Sequence, residues 1–156
     1  MHKITPFLWF DGKAEEAMNF YTSIFKNSKV GRVTRYGESS PGSKGAVITA
    51  TFQLDGQDFI ALNGGPQFSF TPAISFFVNC ENQEEVDDFW EKLSEGGKES
   101  QCGWLSDKYG ITWQIVPSAL GQMLSDKDSE KSKRVTQAML QMKKLDVAKL
   151  EQAYEG

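Results

Sequence analysis

Residues 7–24 read FLWFDGKAEEAMNFYTSI, and residues 76–93 read FFVNCENQEEVDDFWEKL. At a constant offset Phe7 faces Phe76, Glu15 faces Glu84, Glu16 faces Glu85 and Phe20 faces Phe89, with Tyr21 against Trp90 and Ile24 against Leu93 as conservative matches. Each copy runs from an apolar stretch through a polar break into an amphipathic helix. The same element types in the same order predict a duplicated module.

The rest of each copy follows from periodicity. Ala14, Ala17, Met18, Tyr21, Ile24 and Phe25 recur at steps of three and four, which places them on one helical face. Asp11 or Gly12 opens this helix, and Glu15 and Glu16 suit its positive N-terminal end. In the second copy Val86, Phe89, Trp90 and Leu93 form the stripe, Asn82 is the cap and Gly96-Gly97 the stop. Strand signals come next: 28–36, 46–54 and 58–63 in the first copy, with Asp55-Gly56 as a tight hairpin turn. In the second copy they are 99–106 and 111–116, joined across Lys108-Tyr109-Gly110. The Gly/Ser/Pro segment 37–45 reads as a surface loop or a lid. The end of the chain reads as three helices: one opened by Pro117, one capped by Asp128 and carrying Met139 and Met142, one capped by Asp146. The expectation is an α+β chain of one domain, 1–156, with module one at 1–66, module two at 72–117 and a helical tail at 118–156.

Composition removes several functional classes. The chain has 156 residues, 17 Lys+Arg and 21 Asp+Glu, a net charge of −4 that argues against nucleic acid or an anionic membrane as partner. It has one histidine, His2, expected to be exposed and disordered, and two cysteines, Cys80 and Cys102. That is too few for a cysteine- or histidine-rich zinc site, and a Ser-His-Asp or Cys-His apparatus would have to rest on His2. No apolar run approaches a spanning helix or a secretory signal, and two cysteines without framework spacing predict reduced thiols in a cytoplasm.

The tandem strand-helix-strand-strand-strand pattern resembles the vicinal oxygen chelate superfamily of glyoxalases, extradiol dioxygenases and bleomycin-resistance proteins. The stretches LWFDGKAEEAMNFYTSIF, LNGGPQFSF, AISFFVNCENQEEVDDFWEKLSEGG and CGWLSDKYGITWQIVP are similar to its PhnB-like group, labelled 3-demethylubiquinone-9 3-methyltransferase-like. The tail, RVTQAMLQMKKLDVAKLEQAYEG, resembles that group as well. The resemblance implies modules whose sheets curl into cups, paired within a chain or across a dimer, with a divalent metal bound by His and Glu acting as a Lewis acid.

Against that implied pattern, the ligand positions fall at Thr5, Ala73 and Gln114, and a further one between residues 46 and 63, where Asp55 and Asp58 are assigned to the turn. Thr and Gln are weak neutral donors, so the metal site is expected to be missing, with no cofactor. The glycines at 64–65 precede strand signals rather than a helix, so no nucleotide-cofactor fingerprint supports the methyltransferase label. Strand alternation nominates Phe7, Trp9, Asn63, Cys102, Trp104 and Gln114 as cup lining, with Thr112 and Val116 beside Gln114. Core or interface packing competes for Trp9 and Trp104, turn capping for Asn63, inert burial for Cys102 and backbone satisfaction for Gln114.

Three readings follow. The first is a metal-free homodimer binding a small, mostly apolar or aromatic ligand. The second is an enzyme, either with unusual metal ligands or acting through groups such as Cys102, Asp107 or Tyr109; methyl transfer is a further version of it. The third is a structural dimer whose cup is filled by its own aromatics. An open sheet edge favours pairing in each.

Overall fold

The computed structural model describes residues 2–38 and 43–156. Part of the predicted 37–45 loop, residues 39–42, lies outside the described residues. The chain divides into two compact units, Met1–Phe70 and Thr71–Gly156, the helical tail belonging to the second.

The first unit runs β1 (Phe7–Phe10), α1 (Ala14–Ile24), β2 (Ser28–Arg35), β3 (Val47–Leu54) and β4 (Gln57–Asn63). Its sheet has the order β1-β4-β3-β2, with β1 parallel to β4 and the other pairs antiparallel. The second unit repeats this as β5 (Ser75–Cys80), α2 (Gln83–Ser94), β6 (Lys98–Glu99), β7 (Trp104–Ser106) and β8 (Thr112–Pro117), in the order β5-β8-β7-β6, with β5 parallel to β8. Two identical topologies in one chain bear out the duplicated module.

Each helix covers one face of its sheet and leaves the other open. Ala14, Ala17, Met18, Tyr21 and Ile24 of α1 are buried, as their spacing requires. They meet Ala50, Phe52 and Leu54 of β3 and Phe59 and Ala61 of β4, all buried, with Tyr21, Phe52 and Phe59 in successive ring contact. In the second unit Val86, Trp90 and Leu93 face Val78, Leu105, Trp113 and Ile115. Asp55 and Gly56 both take positive φ, the geometry a two-residue hairpin needs.

The predicted strand 99–106 is two strands separated by a turn. Cys102 (φ 60) and Gly103 (φ 85) occupy the left-handed region, which ends one strand and starts the next. The Cys102 and Gly103 N–H groups donate to the carbonyls of Met142 and Lys143, so the turn is tied to the tail. The tail itself is α3 (Ser118–Leu124), α4 (Ser129–Met139) and α5 (Val147–Glu155). Asp128 and Asp146 cap α4 and α5 as expected. Leu120, Met123, Val135, Leu145 and Leu150 form a cluster with Val116 of β8, and Met139 and Met142 pack against it.

The repeat has a finer register than a constant offset. Phe7 is 56% exposed and Phe77 is 60% exposed, while Leu8 and Val78 are buried, as are Phe10 and Cys80. Ile4 and Ile74 are exposed in both copies. Phe7 therefore corresponds to Phe77, not to Phe76, whose ring lies 5.3 Å from that of buried Trp113. The helices keep the predicted match of Tyr21 to Trp90 and Ile24 to Leu93. The first copy carries one residue more than the second between the strand match and the helix match, so no single offset fits both. A one-residue slip in a strand exchanges its faces, so this correction decides which side chains are open.

Candidate functional site

On the open face of the first sheet lie Phe7 and Trp9 of β1, Asp58, Ile60 and Leu62 of β4, and Thr49, Thr51 and Gln53 of β3, placed together by the register Phe7↔Ile60, Trp9↔Leu62, Thr49↔Leu62, Thr51↔Ile60 and Gln53↔Asp58. Trp9 is a fixed wall. Its Nε1 donates to the Gly65 carbonyl at 2.9 Å, and the Phe68 ring meets it edge-on at 4.8 Å. A Cβ at Gly64 would lie 2.3 Å from the Trp9 ring, so only glycine lets the chain pass there.

Asp58 is not in the turn. It lies on β4, largely buried, and its carboxylate accepts from Gln53 Nε2 at 2.8 Å and from the His2 backbone N–H at 3.2 Å. His2 Nδ1 also lies 3.2 Å from it. The Gln53 amide and then the His2 N–H hold its carboxyl below the ordinary aspartate range. His2 is exposed, as expected, but it is engaged rather than disordered. Thr5, two residues before β1's Phe7, donates through its hydroxyl to the His2 carbonyl at 3.5 Å.

Asn63 leaves the cup. Strand alternation turns it to the helix face with Phe59 and Ala61. Its Oδ1 accepts the Ala14 N–H at 2.9 Å and its Nδ2 donates to the Val47 carbonyl. Lys13, the residue before α1, makes no side-chain cap, and Asn63 supplies it from across the unit.

The open face of the second sheet has two cross-strand rows. One is Phe77, Gln114 and Trp104, and the other Ser75, Thr112 and Ser106. Gln114 Nε2 donates to Ser75 Oγ at 2.9 Å, so its side chain leans back along the face toward the second row. Trp113 and Ile115 face the helix, as alternation predicted. Val116 keeps the predicted parity but is buried in the tail cluster. Ala73 is exposed ahead of β5, its N–H on Thr71 Oγ1; the residue matching Thr5 in the corrected register is Ser75.

Cys102 lies in the β6–β7 turn rather than on a strand, and Cys80 is buried on the helix face. Burial, followed by the charge of Glu85, pushes the Cys80 thiol up to about 12, which makes it a poor nucleophile. Asp107 is buried, and its carboxylate accepts the N–H groups of Tyr109 and Ile111 and the indole of Trp113. It organises the β7–β8 turn. Glu84 and Glu85 serve the start of α2, where Glu85 Oε1 accepts the Glu81 N–H and Asn82 accepts from Glu85.

The donor set does not fit the metal that the superfamily pattern implies. Thr5, Ser75 and Gln114 carry neutral oxygens, and Gln114 already binds Ser75. Among the described residues no three His, Cys, Asp or Glu side chains come together to hold an ion. What the two faces offer is aromatic surface with hydroxyl and amide groups and, on the first, the carboxylate of Asp58, already held by Gln53 and His2. Among the described residues no helix is long and apolar enough to cross a membrane.

Residues 2–116 match the family model described as 3-demethylubiquinone-9 3-methyltransferase; the match stops where the helical tail begins. A PhnB protein from Bacillus cereus that carries the same label is 46% identical over 75% of this chain and 100% of its own, with a TM-score of 0.70. Protein PA1353 from Pseudomonas aeruginosa is 20% identical over 75% of this chain and 98% of its own, with a TM-score of 0.64. The fosfomycin resistance protein FosX from Listeria monocytogenes, solved with Mn(II) and sulfate, is 16% identical over 80% of this chain and 97% of its own, at a TM-score of 0.54. The last two likenesses concern the fold alone. No curated protein matches the chain.

Proposed function

The chain belongs to the PhnB-like, 3-demethylubiquinone-9 3-methyltransferase family on the vicinal oxygen chelate fold, and on that footing we propose that it binds a small, mostly apolar or aromatic molecule without a metal. The observation that carries this reading is the second sheet's row of Phe77, Gln114 and Trp104: two aromatics flank a neutral amide where the superfamily pattern calls for an anionic ligand. Binding sites for small apolar molecules have this makeup of apolar walls and few polar groups. Phe7 and Trp9 offer a comparable surface on the first sheet.

Methyl transfer draws support from the family's name only. The segment after Gly64-Gly65 holds no helix before β5, so it lacks the strand-to-helix turn on which nucleotide cofactors rest. Catalysis through Cys102, Asp107 or Tyr109 is disfavoured at Asp107, whose carboxylate is committed to three N–H donors.

A homodimer in the cytoplasm completes the proposal. The edge strands β1, β2, β5 and β6 are the surfaces that would pair. Native mass spectrometry of protein purified without chelator tests the binding reading. A co-purifying aromatic compound at one per protomer supports it; a bound S-adenosylmethionine, or turnover that requires a divalent metal, would refute it.

A further inference from the structure

Thr112 sits on the open face of the second sheet with 4% of its surface exposed, and among the described residues its hydroxyl has no hydrogen-bond partner. A hydroxyl sealed from water and left unpaired is costly, so proteins keep such groups for a reason. Its cross-strand neighbours are Ser75 and Ser106, both hydroxyl donors on the same face. Ser75 is engaged by the Gln114 amide, whose own strand neighbours are Phe77 and Trp104. Lys98, paired with Ser106 on the edge strand, is the charged member of this row, and it lies at the end away from Ser75.

We propose that this face binds an aromatic molecule bearing an uncharged oxygen acceptor, such as an aryl ketone or aldehyde, whose oxygen takes the Thr112 hydroxyl while its ring lies between Phe77 and Trp104. The inference rests on the binding reading above and adds the polar handle to it. Rotation of Gln114 away from Ser75 opens the row to the ligand. The ligand's oxygen then receives hydrogen bonds from Thr112 and Ser75. A neutral acceptor suits the position because Ser75, Thr112, Ser106 and Gln114 carry no charge, and a carboxylate held there would lose its hydration without a cation beside it. Such a site selects by its polar group: a ligand lacking the oxygen leaves the Thr112 hydroxyl unpaired, as it is in the free protein.

The test uses acetophenone and isopropylbenzene, two probes of nearly equal shape that differ in the carbonyl, titrated into the full chain and into Thr112→Val. Binding is followed by amide chemical shifts. Acetophenone is expected to shift Thr112, Gln114, Ser75 and Trp104 and to bind about tenfold more weakly to Thr112→Val, the size of one lost hydrogen bond. Isopropylbenzene is expected to bind both proteins alike. Equal affinity of both probes for both proteins would overturn the oxygen-recognition proposal and leave the binding reading standing; no shift from either probe would count against both. A melting curve adds a check without ligand. Removing an unpaired buried hydroxyl is expected to raise the melting temperature by about 2–4 °C. A fall instead would mean that Thr112 holds a partner within the protein, which contradicts the proposal.

Discussion

Asn63 Oδ1 accepts the Ala14 N–H at 2.9 Å, so the last residue of β4 caps the first turn of α1. The residues just before the helix do not do this, and Gly12 (φ 75) leads the chain into place without contributing a side chain. Asn63→Ala is expected to cost about 1–2 kcal/mol in chemical denaturation, the usual loss for a helix cap. Asn63→Asp keeps the acceptor and loses the bond to Val47, so it is expected to cost less. Equal losses in the two variants would show that the Val47 contact, rather than the cap, holds this corner together.

Asp107 is expected to matter for folding rather than for chemistry. Asp107→Ala strands the Tyr109 and Ile111 N–H groups and the Trp113 indole, for a loss of roughly 3 kcal/mol or more. Asp107→Asn keeps one acceptor oxygen and is expected to lose less. Urea titrations of both variants check this. Near-normal stability of Asp107→Ala would return Asp107 to the list of candidate catalytic groups.

Asp58 predicts how the first unit responds to acid. Its carboxyl lies below the ordinary aspartate value because Gln53, then His2, donate to the charged form. A lowered folded-state value contributes stability above the unfolded aspartate value of about 3.9, and that contribution is lost as pH falls further through the folded-state value. Asp58→Asn is therefore expected to be less stable than the parent at pH 7, with the gap narrowing as pH falls below the unfolded aspartate value of about 3.9. A gap that stays constant with pH would mean that the side chain acts by packing alone.

The two thiols are expected to react very differently. Cys80 is buried with its thiol pushed up to about 12, whereas Cys102 is half-buried in a turn. A disulfide reagent at pH 8 is expected to label one thiol in the folded protein and two after unfolding, with Cys102→Ser abolishing the fast phase. Two fast thiols in the native protein would contradict the burial of Cys80.

The repeat, both module helices and the caps of α4 and α5 were legible because apolar spacing and capping residues are local signals. The faces of β1 and β5 were less so. Aligning Phe7 with Phe76 maximised identities, but the strands obey Phe7 with Phe77, and only paired partners reveal a slip of one residue. The β6–β7 break was hidden because Cys102, not glycine, opens the left-handed turn. Asn63 reads as cup lining or a turn cap for a related reason: its partner, Ala14, lies across the unit, and a sequence carries no mark of that distance. Trp104 and Gln114 share a row, which the β7–β8 register establishes and alternation along either strand alone does not. Asp58 does not read as an open-face carboxylate, because Asp55-Gly56 so strongly marks the turn beside it.

The central claim is that this member of the family keeps the fold without the metal. The most direct measurement is the metal content of protein purified without chelator, before and after incubation with manganese, zinc, nickel and iron(II) followed by desalting. Less than about a tenth of an equivalent of any of them is expected in every sample, because Thr5, Ser75 and Gln114 offer only neutral donors. One equivalent of a divalent ion retained per protomer, and lost in Gln114→Ala, would contradict the account.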